Sequence, residues 1–241
     1  LKPLVVLQCE VVERTVPEWY SSCGEMSHAI AEGIGLQDRE TLMVPVCDGV
    51  APPPPEEVSA IALTGAAVMV GDGLPWIHET SDYVRRAIAA GVPVLGVCFG
   101  HQLLAHALGG TVGPIDGAPE YGTATIGVTE HGRDDPLFAA APETFAAQAA
   151  HYQGVLTPPA DAVVLARNEK GIQALRYAPR AWGLQFHPEF TAEGTALTLA
   201  LVREPLEAAG LDVDAALAGV SPSPEAAAVL AAFGAVVRSA D

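Results

Sequence analysis

Basic residues are scarce in this chain: 12 lysines and arginines stand against 29 aspartates and glutamates, a net charge of -17 over 241 residues. A field of that sign repels polyanions, so nucleic acid is not an expected partner. Apolar runs of about 18 residues, the length that suggests a membrane-spanning helix, are missing, and so is any basic amphipathic helix. No membrane partner is expected. The four cysteines, Cys9, Cys23, Cys47 and Cys98, include no CxxC pair, and no histidine stands at finger-like spacing from them. That removes a zinc finger and a redox dithiol, and leaves a reduced compartment as the default. His28, His78, His131 and His151 form no metal pattern with one another or with carboxylates, so neither a metal nor any other cofactor is expected. Leu1 to Gln8 lack the charged start and small-residue cleavage site of a signal peptide, which points to the cytoplasm. No segment pairs low hydrophobicity with high charge, and no internal repeat is present.

What is there suits one ordered α/β domain: half of the residues are apolar, and the length is enough to bury a full core. Short apolar runs bounded by turn residues recur at Leu4 to Leu7, Leu42 to Val46, Ala60 to Leu63, Val92 to Val97, Val163 to Ala166 and Trp182 to Phe186. Such runs suit strands buried on both faces. Between them the clearest helical pattern covers Ser81 to Ala90, where Tyr83 with Ala87 and Val84 with Ile88 repeat at i, i+4. Thr80 or Ser81 is its expected cap and Gly91 its stop. Alternation of this kind predicts a doubly wound, mostly parallel central sheet flanked by helices. Ala51 to Pro55 read as a stiff surface connection. Residues 201–241 read as a helical C-terminal extension to a domain spanning 1–200. Its last helix, about Glu225 to Val237, is apolar on nearly all sides and needs a large buried contact, either the domain itself or a second copy in a homodimer.

The sharpest signal is Gly96-Val97-Cys98-Phe99-Gly100, a G-x-C-x-G pattern between a buried strand and an apolar helix ending at Gly109-Gly110. That is the context of a nucleophile elbow: the turn is tight enough to need flanking glycines and lifts the central side chain above the sheet edge. There the thiol faces the positive end of a helix, which favours thiolate. By itself the pattern also fits a buried structural cysteine. A base is needed, and His187-Pro188-Glu189 closes the buried strand that begins near Ala181. Residues two apart in an extended chain project to one side, so Glu189 can orient His187. In a doubly wound sheet both strands deliver their carboxyl ends to the edge where ligands bind. Cys98, His187 and Glu189 are therefore the expected nucleophile, base and orienting carboxylate. The ring of His101, at the start of the elbow helix, is expected to face solvent. Trp76 suits either a cleft wall or the core.

Two motifs, Gly96-Val97-Cys98-Phe99-Gly100-His101-Gln102 and Gln185-Phe186-His187-Pro188-Glu189, resemble the class I glutamine amidotransferase family in sequence, order and separation. The resemblance runs from roughly Leu4 to Ala200. Trp182 to Glu189 and Glu120-Tyr121-Gly122 are most similar to the amidotransferase half of GMP synthetase and its free-standing relatives. The resemblance implies hydrolysis of the glutamine side-chain amide through a γ-glutamyl thioester on Cys98. It implies an oxyanion site at the Phe99 N–H and the turn at Gly65 or Ala66, with substrate contacts at Gln102, Ala150 and His151. It also implies an ammonia-accepting synthetase partner. Thr64-Gly65-Ala66-Ala67 lacks the proline that usually stiffens the oxyanion turn, and Ala150 stands where serine is common. Two other functions remain open: a γ-glutamyl peptidase using the same three residues, and a non-enzymatic cysteine sensor on the same elbow.

Overall fold

The computed structural model describes residues 1–239. Eleven strands are present among them: β1 (Leu4–Leu7), β2 (Thr41–Val44), β3 (Ala60–Leu63), β4 (Val94–Val97), β5 (Thr111–Pro114), β6 (Glu120–Val128), β7 (Thr144–His151), β8 (Gln153–Thr157), β9 (Val163–Asn168), β10 (Gly171–Ala178) and β11 (Ala181–Leu184). Nine form one mixed sheet in the order β2-β1-β3-β4-β11-β10-β9-β6-β7, while β5 and β8 pair separately. From β2 to β11 every pairing is parallel, and from β11 to β7 every pairing is antiparallel. The expected α/β sheet is therefore present, and its parallel half contains β4 and β11.

The α-helices are α1 (Val12–Thr15), α2 (Pro17–Cys23), α3 (Met26–Ile34), α4 (Pro75–Ala89), α5 (Phe99–Ala107), α6 (Glu130–Arg133), α7 (Ala192–Leu201), α8 (Arg203–Ala208), α9 (Val213–Ala218) and α10 (Pro224–Arg238). They cover both faces of the sheet, and the strand alternation shows why. Leu4, Val6, Ala60, Ala62, Leu95 and Val97 point into a core shared with Ile30 and Ile34 of α3 and with Leu230 and Phe233 of α10. Their neighbours Val5, Leu7, Ile61, Leu63 and Val94 point the other way, onto Ile77, Val84 and Ala87 of α4 and Leu103 and Leu104 of α5. Side chains two residues apart share a face, so an uninterrupted apolar strand fills two cores. The apolar faces of α10 are thus covered within this chain.

Several boundaries differ from the sequence reading. β2 stops at Val44 because Pro45 has no N–H to continue the ladder. α4 starts at Pro75, which takes the first helical position. Thr80 and Ser81 are therefore buried in mid-helix and cap nothing; the Ser81 hydroxyl donates to the Ile77 carbonyl at 2.7 Å. Trp76 belongs to the core beside Phe99, at a ring separation of 5.5 Å. Among the described residues no helix is long and apolar enough to cross a membrane.

Candidate active site

β3, β4 and β11 are parallel neighbours, with Leu63 opposite Gly96 and Leu184 opposite Val97. The next residues of each strand emerge at one edge: Thr64-Gly65 after β3, Cys98 after β4, and Gln185 to His187 after β11. Cys98 is the one non-glycine residue with positive φ among the described residues, at φ 50° and ψ -104°. Such a conformation costs an L-residue about 1–3 kcal/mol and persists only where the surroundings hold it. They do so here. A Cβ on Gly96 would lie 2.5 Å from the Gly100 backbone, and one on Gly100 would lie 2.8 Å from the Leu63 carbonyl oxygen. The turn is therefore closed to any residue larger than glycine at both flanks. Its amides are anchored too, Cys98 N–H on the Leu184 carbonyl at 2.7 Å and Gly100 N–H on that of Thr64 at 3.2 Å.

Cys98 is 6% exposed and caps α5, whose first amide is that of Phe99. The first N–H groups of a helix have no partner within it, so Phe99 presents a donor beside the thiol. The Cys98 sulfur lies 3.9 Å from the Ala150 carbonyl oxygen and 3.7 Å from the Gln185 side-chain nitrogen. His187 is buried, with Nδ1 2.8 Å from Oε1 of Glu189. Its backbone N–H donates to the Gln148 carbonyl at 2.8 Å, and its ring stacks on Phe190 at 4.1 Å. Burial disfavours the charged ring, but the Glu189 carboxylate, then Cys98, and hydrogen bonds to both outweigh it and raise the His187 pKa to about 10. Both neighbours thus favour the protonated ring. By contrast, burial pushes up the thiols of Cys9, Cys23 and Cys47.

Gly65 and Ala66 line the same cavity as Cys98 and His187. A Cβ on Gly65 would fall 2.9 Å from Cε1 of His187 and 3.7 Å from Cβ of Cys98, so only glycine leaves room for both side chains. The turn lacks the stiffening proline, yet it is pinned by side chains. The Thr64 hydroxyl accepts from Cys9 N–H at 3.0 Å and donates to the Gly65 carbonyl at 3.0 Å, while Glu10 accepts from Ala67 N–H at 3.1 Å.

Gln102, Ala150 and His151 line this cavity as well. The Gln102 amide group donates to the Gln153 carbonyl at 2.8 Å and to Oε1 of Gln185 at 3.1 Å, which leaves its carbonyl oxygen as what it can offer a ligand. His151 ends β7 directly opposite Glu120 of β6. Its Nε2 lies 2.8 Å from Oε2 of Glu120 and its Nδ1 3.0 Å from the Gln153 carbonyl oxygen. Glu120 also accepts from Asn168 and from Gln173. Burial opposes its charge, but these donors, His151 foremost, hold its pKa below the usual range.

His101 corrects an expectation. The helix begins at Phe99, so His101 sits in its first turn against the sheet and is fully buried. The Tyr177 hydroxyl donates to its carbonyl at 2.8 Å and lies 2.9 Å from Nδ1. Burial, and the charge of His151 after it, push its pKa down to about 3, so the ring is neutral and structural. Sequence reasoning did not single out Tyr121, Tyr152, Gln153, Trp19, Met26 or Phe190 as cavity residues, although all line it. Phe190 had a usable signal, since it follows Glu189 directly.

A cysteine beside a histidine that is itself hydrogen-bonded to a carboxylate, at the carboxyl edge of a parallel sheet, has the order of a nucleophile, its base and an orienter. The chain belongs to the class-I glutamine amidotransferase family, a family of enzymes, whose model matches residues 28–199. It is 34% identical over 168 residues to a subunit of the glutamine-hydrolysing GMP synthase of Ignicoccus hospitalis, covering 69% of this chain and 84% of that one. It is 38% identical over 128 residues to the glutamine-hydrolysing GMP synthase of Aeropyrum pernix, where the match takes in 52% of this chain and 24% of that longer protein. In fold it is similar to a glutamine amidotransferase from Thermotoga maritima, with a TM-score of 0.76 at 21% identity, covering 98% of this chain and 97% of the other.

Proposed function

We propose that this chain hydrolyses the side-chain amide of glutamine with Cys98 as nucleophile, His187 as acid and base, and Glu189 as the group that orients His187. The observation that carries the reading is the buried pair Glu189–His187, with Nδ1 of the ring 2.8 Å from the carboxylate, set beside Cys98 so closely that a Cβ on Gly65 would lie 3.7 Å from both Nε2 of His187 and Cβ of Cys98. The thiolate adds to the δ-carbonyl carbon of glutamine. The developing oxyanion is received by the Phe99 N–H and an N–H of the turn at Gly65 or Ala66. The C–N bond then breaks as His187 gives its proton to the departing ammonia, leaving a γ-glutamyl thioester. Water adds to the thioester, passes a proton back to His187, and releases glutamate with the thiolate restored. The Gln102 carbonyl and the strand end at Ala150-His151 are the proposed contacts for the amino-acid end of the substrate.

The relative from Ignicoccus hospitalis is named as one subunit of its GMP synthase, which supports an acceptor of the ammonia on a partner protein here too. In this reading residues 1–200 are the catalytic domain and 201–241 an extension packed on it. A reactive thiolate suits a reducing cytoplasm. A glutamine-mimicking diazo ketone tests the assignment: mass spectrometry should find the label on Cys98. A label on Cys23 or Cys47 overturns the site.

A further inference from the structure

Burying an amide side chain is costly unless its polar groups find partners. Gln185 is fully buried and Gln102 is 4% exposed, so their pairing matters. Leu184 and Phe186 belong to one core of the sheet, while Gln185 between them turns toward α5, which carries Gln102. The two amides form a series. The Gln102 side-chain nitrogen lies 2.8 Å from the Gln153 main-chain carbonyl oxygen and 3.1 Å from Oε1 of Gln185. The Gln185 side-chain nitrogen in turn lies 3.7 Å from the Cys98 sulfur.

The Gln153 carbonyl sets the direction of the whole series, because a main-chain oxygen accepts and never donates. The Gln102 group beside it must therefore be the NH2 group. Its second hydrogen meets Gln185, which must present its oxygen there. That leaves the Gln185 NH2 for the sulfur, its one hydrogen-bond partner among the described residues. We infer that Gln185 is a further catalytic residue, whose side-chain N–H donates to the Cys98 sulfur and favours the thiolate, and that Gln102 fixes the direction of that donor. The inference rests on the reading of Cys98 as nucleophile given above.

A thiol sulfur is a weak acceptor, and an ionised acceptor binds a donor about twice as strongly as a neutral one, so a donor aimed at the sulfur favours the charged form. The Ala150 carbonyl, 3.9 Å from the sulfur, is the opposite kind of group: it can accept from the thiol and offers the thiolate nothing. Gln185 meets the sulfur twice in each turnover. It does so when the thiol gives its proton to His187, and again when water has added to the thioester and the thiolate is expelled. The amide keeps its own proton throughout.

The experiment follows alkylation of Cys98 by iodoacetamide in the full chain across a range of pH, with the label located by mass spectrometry. Labelling of Cys9, which is 2% exposed, reports any unfolded chain in the same sample. Glu10, Tyr121, His151, Tyr152 and His187, the ionisable groups that line the cavity with Cys98, are unchanged in each variant, and so is Glu189 behind His187. Gln185→Met keeps the bulk and removes the donor. It should slow alkylation about tenfold at neutral pH and move the profile to higher pH, the scale of a hydrogen bond to a charged group. Gln102→Met removes no donor to the sulfur but frees the Gln185 amide to turn, and should slow alkylation about threefold. The double variant should be no slower than Gln185→Met, since Gln102 acts only through Gln185. A profile unmoved in Gln185→Met overturns the inference and leaves Cys98 as nucleophile. Single losses that multiply in the double variant overturn the role of Gln102. A shifted profile without labelling of Cys98 by the diazo ketone removes Cys98 as nucleophile, and with it the catalytic role of Gln185.

Discussion

Two histidines line one cavity, and each has a buried glutamate oxygen at 2.8 Å. They differ in what the other ring nitrogen meets. In His187 it stands beside Cys98, a Cβ on Gly65 lying 3.7 Å from both Nε2 and Cβ of Cys98, whereas in His151 it faces the Gln153 carbonyl oxygen at 3.0 Å. A nitrogen occupied by a backbone carbonyl holds a strand end in place, while one beside a thiol can exchange a proton with it. The glutamates differ in the same sense. Glu120 accepts from His151, Asn168 and Gln173, whereas Oε2 of Glu189 is buried with no hydrogen-bond partner among the described residues. A carboxylate saturated by several donors is a strut; one with a single partner directs its charge at that partner. In the proposed mechanism the same pair of residue types thus yields one structural and one reactive dyad.

The largest effect that separates them is on turnover. His187→Ala should lower kcat/KM for glutamine about ten-thousand-fold or more, the scale on which removal of a triad member acts. His151→Asn should cost less than about a hundredfold, mainly in KM. Equal losses would break the distinction. Glu189→Gln follows, at about a hundred- to ten-thousand-fold in kcat, because the amide can hold the wrong tautomer and no longer stabilises the imidazolium. Glu120→Gln should lower activity less than tenfold but remove about 3 kcal/mol of stability in urea unfolding, the scale of a broken buried ion pair.

Legibility from the sequence follows the same line. His187 and Glu189 are two residues apart, and the glycines that force the elbow flank Cys98 in the chain, so both features are local and readable. Glu120 and His151 are brought together by the register of β6 on β7, thirty-one positions apart, and no local pattern announces that register. Glu120-Tyr121-Gly122 was visible as a resemblance, without a role. His101 was misread because a solvent-facing ring is the usual state of a polar helix start, whereas the tight turn here drives the first turn of α5 into the sheet. The apolar cluster beside Phe190 escaped notice because Val16, Trp19 and Met26 come from the α1–α2 junction, α2 and α3, and only the packing on Phe190 unites them.

The two dyads should also leave opposite marks on stability against pH. The folded pKa of His187, about 10, lies above its ordinary 6.5, so its contribution is full below about pH 6.5 and is lost as the pH rises toward 10. Glu120 is held below its ordinary 4.5, so its contribution is full above that value and is lost as the pH falls through the folded pKa. Melting temperature should therefore fall on both flanks. His187→Gln should flatten the alkaline flank alone and Glu120→Gln the acid flank alone. A single variant that flattened both would mean that the dyads are coupled.

The smallest effect concerns the thiol that sets the two histidines apart. Cys98 stands beside His187 with its backbone held at φ 50°, a region that suits glycine far better than a residue with a Cβ. Cys98→Ala and Cys98→Gly both remove the nucleophile, so neither should hydrolyse glutamine, and they differ in whether the strain remains. Alanine keeps the Cβ and with it about 1–3 kcal/mol of strain, while glycine releases it but gains about 0.5–1 kcal/mol of conformational entropy in the unfolded chain. The balance favours Cys98→Gly by about 1 kcal/mol, measurable as a higher urea midpoint at unchanged slope. If alanine proves the more stable, the elbow is not strained, and the reach of Cys98 toward His187 is held by packing at Gly96 and Gly100 alone.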